Sequence, residues 1–267
     1  MRPCLAFLFC GALSAQAAQI DVTDLKSLPT ADVVILGEVH DNPAHHEYQA
    51  AAVAALSPAA LVFEMLDPDQ AARVTPELRG DEAALSSALD WAKSGWPDFT
   101  MYYPIFAASD APVYGGALPR DQVRAAIGDG AAKAFGKDAA AFGLTTPLPA
   151  EQQATRETMQ QEAHCNALPE EMLPGMVDAQ RLRDAALARA IRQAWDDTGG
   201  PVAVITGNGH ARRDWGIPAA LSVAAPDLSV LSIGQLEAAP EGAAPYDLWL
   251  ITEPAPRDDP CAAFRTN

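Results

Sequence analysis

Four short apolar runs, each ending in polar or glycine residues, set the strongest limit on what this chain can fold into. Val33-Val34-Ile35-Leu36 leads into Gly37-Glu38-Val39-His40, and Leu61-Val62-Phe63 ends at Glu64. Pro112-Val113-Tyr114 ends at Gly115-Gly116, and Val202-Ala203-Val204-Ile205 leads into Thr206-Gly207-Asn208-Gly209-His210. Continuous apolar runs of this length read as strands buried on both faces, the pattern of a parallel sheet. In open α/β sheets ligands bind outside the carboxyl ends of the strands. Glu38, His40, Glu64 and His210 are therefore expected to converge on one cleft, although His40 and His210 stand about 170 residues apart in the chain.

Between these runs the sequence alternates with helical patterns. Asp41-Asn42-Pro43 reads as a helix cap followed by proline in the first turn, opening a helix over 43–56. Further helices are expected over 68–73, 81–93, 105–109, 151–162 and 173–196, with an aromatic loop over 96–104. The 173–196 stretch carries Met176, Leu182, Ala186, Ile191 and Trp195 as an approximate apolar stripe, and Gly199-Gly200-Pro201 stops it. Two more strands are expected near 228–233 and 247–251. The fold class is α/β, with a mostly parallel central sheet flanked by helices and a helical cap subregion over roughly 120–200.

The first residues read as an export signal rather than as part of the fold. Arg2 precedes an apolar segment over 5–13, and Ala15-Gln16-Ala17 fits a cleavage site. Residues 1–17 are assigned to the signal and 18–267 to one domain, which places the protein in the periplasm. Phe7-Leu8-Phe9 before Cys10 lacks the small residues of a lipoprotein signal. Removing Arg2 from the 18 basic residues leaves 17 against 35 acidic, a balance that disfavours nucleic acid and anionic membranes as partners. Cys165 and Cys261 are the cysteines left, and in an oxidising compartment such a pair is expected to form a disulfide.

The candidate site residues follow from chemistry at the strand ends. Glu38 and His40, two apart, suit a metal site, with His210 as a third ligand, or general acid/base work. Glu64 and His210 complete the catalytic set, because a charge directly after a buried strand is costly unless paired. His45 and His46 lie in the first turn of the next helix, where the positive helix end favours neutral imidazole. Arg120 is placed to meet a ligand carboxylate, His164 adjoins Cys165, and Tyr102 and Tyr103 are candidates for a flat aromatic wall. Asp184, between Arg183 and an apolar run, reads as part of a solvated ion pair with Arg181 and Arg183. The sequence has no Gly-x-Ser-x-Gly elbow, no His-Glu-x-x-His and no phosphate-binding Gly-Lys loop.

The stretch Ile35-Leu36-Gly37-Glu38-Val39-His40-Asp41-Asn42-Pro43-Ala44-His45-His46 resembles the signature of the ChaN family, haem-binding proteins linked to iron uptake. The likeness extends through Trp91 to Pro104, Tyr114 to Arg120, His164 to Pro169, Gln180 to Ala188, Gly207-Asn208-Gly209-His210-Ala211-Arg212 and Gly216-Ile217-Pro218. The resemblance implies a haem pocket in an α/β core, with a tyrosine holding the iron; Tyr102 and Tyr103 are the candidates here, and His45, His46, Arg120 and His164 complete the cofactor-binding set. It also implies outer-membrane haem-uptake partners. The wider superfamily is similar to Tiki-type metalloproteases and erythromycin esterases, which use Glu and His at matching strand ends. That leaves a second reading, an ester or amide hydrolase using a divalent metal or Glu38, His40, Glu64 and His210 directly. One departure from the family pattern is Ala117, where asparagine is expected after the third strand.

Overall fold

A computed structural model describes residues 17–264, so the expected signal, all but its last residue, lies outside the described residues. The strands are β1 (Ala18–Gln19), β2 (Val33–Glu38), β3 (Ala60–Phe63), β4 (Val113–Gly115), β5 (Val202–Gly207), β6 (Val230–Leu236) and β7 (Leu248–Ile251). They form one sheet in the order β1-β7-β6-β2-β5-β3-β4, and every neighbouring pair is parallel. The chain leaves β2 to build β3 and β4 on one side, returns through β5, and lays β6 and β7 on the other. The carboxyl ends of β2, β5 and β3 therefore stand together where the strand order reverses, the place where α/β sheets open a crevice.

Strand parity sorts the core into two layers, because successive side chains point to opposite faces. Val33, Ile35, Val62, Val202 and Val204 face one layer with Leu182, Ala186, Leu187 and Ile191 of the long helix Leu173–Thr198. Val34, Leu36, Leu61, Phe63, Ala203 and Ile205 face the other, with Val53 of helix Pro43–Leu56 and Tyr102, Ile105 and Phe106 of helix Phe99–Ala107. The 120–200 region is helical as expected, but the long helix is itself one layer against the sheet. The helices Arg120–Asp129 and Ala150–Ala163 pack on it in turn.

Two expectations need correction. The aromatic loop over 96–104 is instead helical from Phe99, because the Asp98 side chain caps the turn by accepting from Thr100 N at 2.9 Å. Pro104 lies inside this helix, which is held by its buried face: Phe106 stacks on Phe63 with ring centroids 4.3 Å apart. The helix expected over 81–93 ends at Ala88, since Asp90 turns into the left-handed region at φ 51° before a short 3-10 turn, Trp91–Lys93.

Candidate functional site

The two strand-end glutamates lie on opposite faces of the sheet. Glu38 ends β2 in register with Gly207, whereas Gly37 pairs with Thr206, beside which Glu64 emerges from β3. Glu38 therefore faces the aromatic helix, and Tyr102 donates its hydroxyl to Glu38 Oε1 at 2.9 Å. Glu64 faces the long helix and accepts from Thr206 Oγ1 and Gly207 N, both at 2.8 Å. His40 joins them across the sheet end. Its Nδ1 donates to Glu38 Oε1 at 2.7 Å and its Nε2 lies 4.0 Å from Glu64 Oε1, while its ring meets Trp96 edge-on at 4.8 Å.

His210 occupies the other side of Glu64. Its Nε2 is 3.4 Å from Glu64 Oε1 and its Nδ1 is 2.6 Å from Asp184 Oδ1, with the Gln180 amide against the ring at 3.1 Å. Asp184 continues the chain of charges to Arg156, whose Nη2 is 3.7 Å from Oδ2. The reading of Asp184 as a solvated ion pair is thus overturned. Asp184 is 2% exposed, and its partners are His210 and Arg156 rather than Arg181 and Arg183. A carboxylate enters that apolar helix face because Gln180 and Asp184, four apart, project together onto one histidine. A charge set in Leu182-Arg183-Asp184-Ala185-Ala186-Leu187 was the available signal in the sequence.

Electrostatics follow from this chain of contacts. Burial opposes charge on Glu64, yet the charge and hydrogen bond of His210, with His40 and Arg183, hold its carboxyl well below the usual range. Burial likewise opposes charge on His210, but Glu64 and Asp184 outweigh it and push the imidazole up to about 9. Burial raises Asp184 despite His210 and Arg156. His40 is raised as well, because its hydrogen bond to Glu38 and the charges of Glu64 and Glu38 overcome burial. A histidine whose folded value rises from 6.5 to about 9 adds stability that is fully present below about pH 6.5 and is lost as pH climbs through 9. Thermal melts of the wild type are therefore expected to fall on the alkaline side of neutrality, and those of His210→Gln to fall less steeply. Parallel curves would exclude this role for His210.

The remaining candidates are placed as follows. His45 Nδ1 accepts from Val39 N at 2.8 Å and its Nε2 donates to Thr252 Oγ1 at 2.8 Å, so both nitrogens brace the turn after β2. Burial pushes His45 down to about 4 and keeps it neutral. His46, fully buried, donates from Nε2 to the His40 carbonyl at 2.8 Å and lies on the Tyr102 ring at 4.2 Å. Tyr103 donates to the Arg79 carbonyl, and His164 Nδ1 meets the Gln160 carbonyl at the end of its helix. The structure thus brings Glu38, His40, Glu64 and His210 together and sets His45, Tyr103 and His164 to other work. Among the described residues, no group of three His, Cys, Asp or Glu is arranged to hold a metal ion. The expected set of Glu38, His40 and His210 instead shares itself out in pairs across the sheet.

Beside this network opens a cleft of about 660 Å³, bordered by Glu64 and Trp96. Met65, Leu118, Val123, Ile127 and Leu187 supply apolar walls, and Arg120, Arg124 and Arg183 supply cations. Arg120 also donates to the Ser94 carbonyl at 3.4 Å. Gly116 keeps the wall close, since a Cβ there would stand 2.3 Å from Leu187. Ala117 lines the cleft with its amide donating to the Leu66 carbonyl at 2.8 Å, so the main chain makes a bond at the position where asparagine was expected.

Known proteins match this arrangement at two levels. No curated relative matches. Among solved structures, ChaN of Campylobacter jejuni, described with cofacial haem binding, aligns with a TM-score of 0.63 at 18% identity, covering 85% of this chain and 89% of that one. The type III effector HopBA1 aligns at 13% identity over 87% of this chain and 92% of its own, with a TM-score of 0.43. The Campylobacter likeness shows a shared fold. The family profile described as haem-binding uptake, Tiki superfamily, ChaN matches residues 25–221. With residues 25–221 matched, this chain belongs to the ChaN haem-binding uptake family of the Tiki superfamily.

Proposed function

We propose that this protein binds haem in the cleft beside Glu64 and Trp96 and takes part in haem or iron uptake outside the cytoplasm. The observation that carries the reading is the cleft's composition. Apolar walls meet three arginines, in a chain whose net charge is −17. A flat apolar ligand with anionic edge groups suits such a surface, and haem, a porphyrin with two propionates, has that chemistry. Arg120, Arg124 and Arg183 would meet the propionates while Trp96, Leu118 and Leu187 lie along the ring. The leader-like first 17 residues and the Cys165–Cys261 disulfide support an exported protein, and outer-membrane haem-uptake proteins are the partners this role calls for.

Titration of ferric haem into the purified protein is expected to give a Soret shift that saturates at a fixed stoichiometry. Hydrogen bonds to charged groups contribute about 1.5–3 kcal/mol each, so Arg183→Ala is expected to weaken binding by about tenfold or more. Haem dimethyl ester, which lacks the carboxylates, is expected to bind the wild type and the Arg183→Ala variant alike. A titration that never saturates, or arginine variants indistinguishable from wild type with free haem, would overturn the reading.

A further inference from the structure

We infer that this protein has a second ligand site, for a small organic monocarboxylate with a compact apolar body, in a cavity bordered by Arg156. The site is independent of the haem reading. The cavity, of about 200 Å³, opens between helix Ala150–Ala163, the long helix Leu173–Thr198 and helix Ile217–Ala224. It shares no lining residue with the cleft beside Glu64 and Trp96.

The walls of the cavity are apolar. Phe142, Leu144, Leu148, Trp215 and Val223 line it. Phe142 and Leu144 are buried, whereas Val223 is 52% exposed, so a ligand has an approach from solvent past that residue. A dry cavity of about 150 Å³ is enough to bind benzene, so this one has room for a ring or short branched chain together with a carboxylate.

One cation at the cavity has hydrogen-bonding capacity to spare. Arg156 is 5% exposed, and its Nη2 is buried with no hydrogen-bond partner among the described residues. Its ion pair to Asp184 spans 3.7 Å, longer than a hydrogen bond, and Asp184 Oδ2 lacks a hydrogen bond as well. The guanidinium lies 5.7 Å over the ring of Trp215, which borders the same cavity. A guanidinium carries five N–H donors, and leaving them unmade in a buried place is costly. A carboxylate answers that need, because its two oxygens match the guanidinium fork. Asp184 also holds His210 at 2.6 Å, so Arg156 can turn its fork to a ligand while Asp184 keeps a charged partner.

The neighbouring charges set the ligand's charge. Arg181 gives Nη2 to the Gly143 and Thr146 carbonyls at 3.2 and 2.8 Å, and Arg212 makes two bonds to Asp214 at 3.0 and 2.7 Å. With those cations committed, and with Asp184 and Asp214 on the lining, the cavity suits one negative charge and disfavours a dianion such as a phosphate monoester. The haem cleft differs in offering three arginines.

Benzoate is the probe, since it sets one carboxylate on a rigid apolar ring. Calorimetric titration of the purified protein is expected to show saturable binding of one benzoate per chain. Benzamide, a neutral molecule of the same shape, is expected to bind at least about tenfold more weakly, the effect of losing hydrogen bonds to a charged group. Ala219→Phe, which fills the cavity and leaves Arg156 in place, is expected to abolish benzoate binding and to leave the haem titration unchanged. Arg156→Met is expected to abolish benzoate binding too, whereas Arg183→Ala, in the haem cleft, is expected to keep it. Benzoate that competes with haem or weakens in Arg183→Ala would place it in the cleft and overturn the assignment. Equal affinity for benzamide, full binding by Ala219→Phe, or no saturable binding by the wild type would overturn it as well. A wild type that takes benzoate but no haem would sink the haem reading and leave this one standing. Circular dichroism melts identify a variant that fails to fold, and if Arg156→Met is one, benzamide and Ala219→Phe decide.

Discussion

Asp184→Ala is expected to destabilise the fold by about 3–5 kcal/mol, the usual cost of removing one partner from a buried ion pair. For a chain of this size that lowers the melting temperature by on the order of 10 °C. The reason is what stays behind. Arg156, 5% exposed, would keep its charge with its Asp184 contact gone and only the weaker influence of Asp214 left, and His210 would lose its 2.6 Å partner and depend on Glu64. The companion change distinguishes this cause from lost packing. Arg156→Met alone is expected to be costly for the mirror reason, because it leaves the buried Asp184 with His210 as its remaining charged partner. Adding Arg156→Met to Asp184→Leu is expected to recover much of the loss, since an apolar pair of similar volume often replaces a buried ion pair at little cost. A double variant as unstable as the sum of the singles would show that the charges act independently.

This ordering of charges also explains how a short site serves a cleft on its flank. Arg156, Asp184, His210, Glu64, His40 and Glu38 form one alternating series of cations and anions, running from beneath the long helix over the sheet end to the aromatic helix. His40, between Glu64 and Glu38, is the member whose ring also meets Trp96, a residue that borders the cleft. Burial on the inner members fixes the outer one.

The strands and the identity of the strand-end residues were legible because burial on both faces forces continuous apolar runs, and a Glu or His that follows such a run stands out. Helix Pro43–Leu56 was legible from its cap and proline. The pairing was less so. The convergence of Glu38 with His40 was anticipated, but parity puts Glu38 and Glu64 on opposite faces, and only the register of β2 on β5 reveals that His40 must cross the sheet end. Asp184 was hidden because a carboxylate beside two arginines in a helix has a surface explanation that costs nothing. Arg183 and Arg124 were hidden for the same reason, their place in the cleft being set by the docking of two helices on the β4 side. The sequence points to Tyr102 for its aromatic ring, but its hydroxyl, donated to Glu38, is what the fold uses.

Breaking the Cys165–Cys261 bond is expected to lower stability by about 2–5 kcal/mol, the usual loss when a native disulfide is removed. The bond closes a segment of 96 residues, so its loss restores much chain freedom to the unfolded state. The expected effect also has a location. From β7 the chain runs over the turn that carries His40. Thr252 accepts from His45, the Glu253 carbonyl accepts from Asn42 at 3.0 Å, and Arg257 binds Asp41 at 2.8 Å and Glu237 at 2.7 Å. Cys261 then pins this strap to the end of helix Ala150–Ala163. Once that pin is cut, the contacts to Asp41, Asn42 and His45 hold the strap by exposed or half-buried groups, which contribute little individually. Hydrogen exchange in Cys165→Ser/Cys261→Ser is expected to accelerate first at Val39, whose amide bonds to His45, and only later in β2 itself. Reductant that leaves both the melting temperature and the exchange at Val39 unchanged would show that the strap stands without its disulfide.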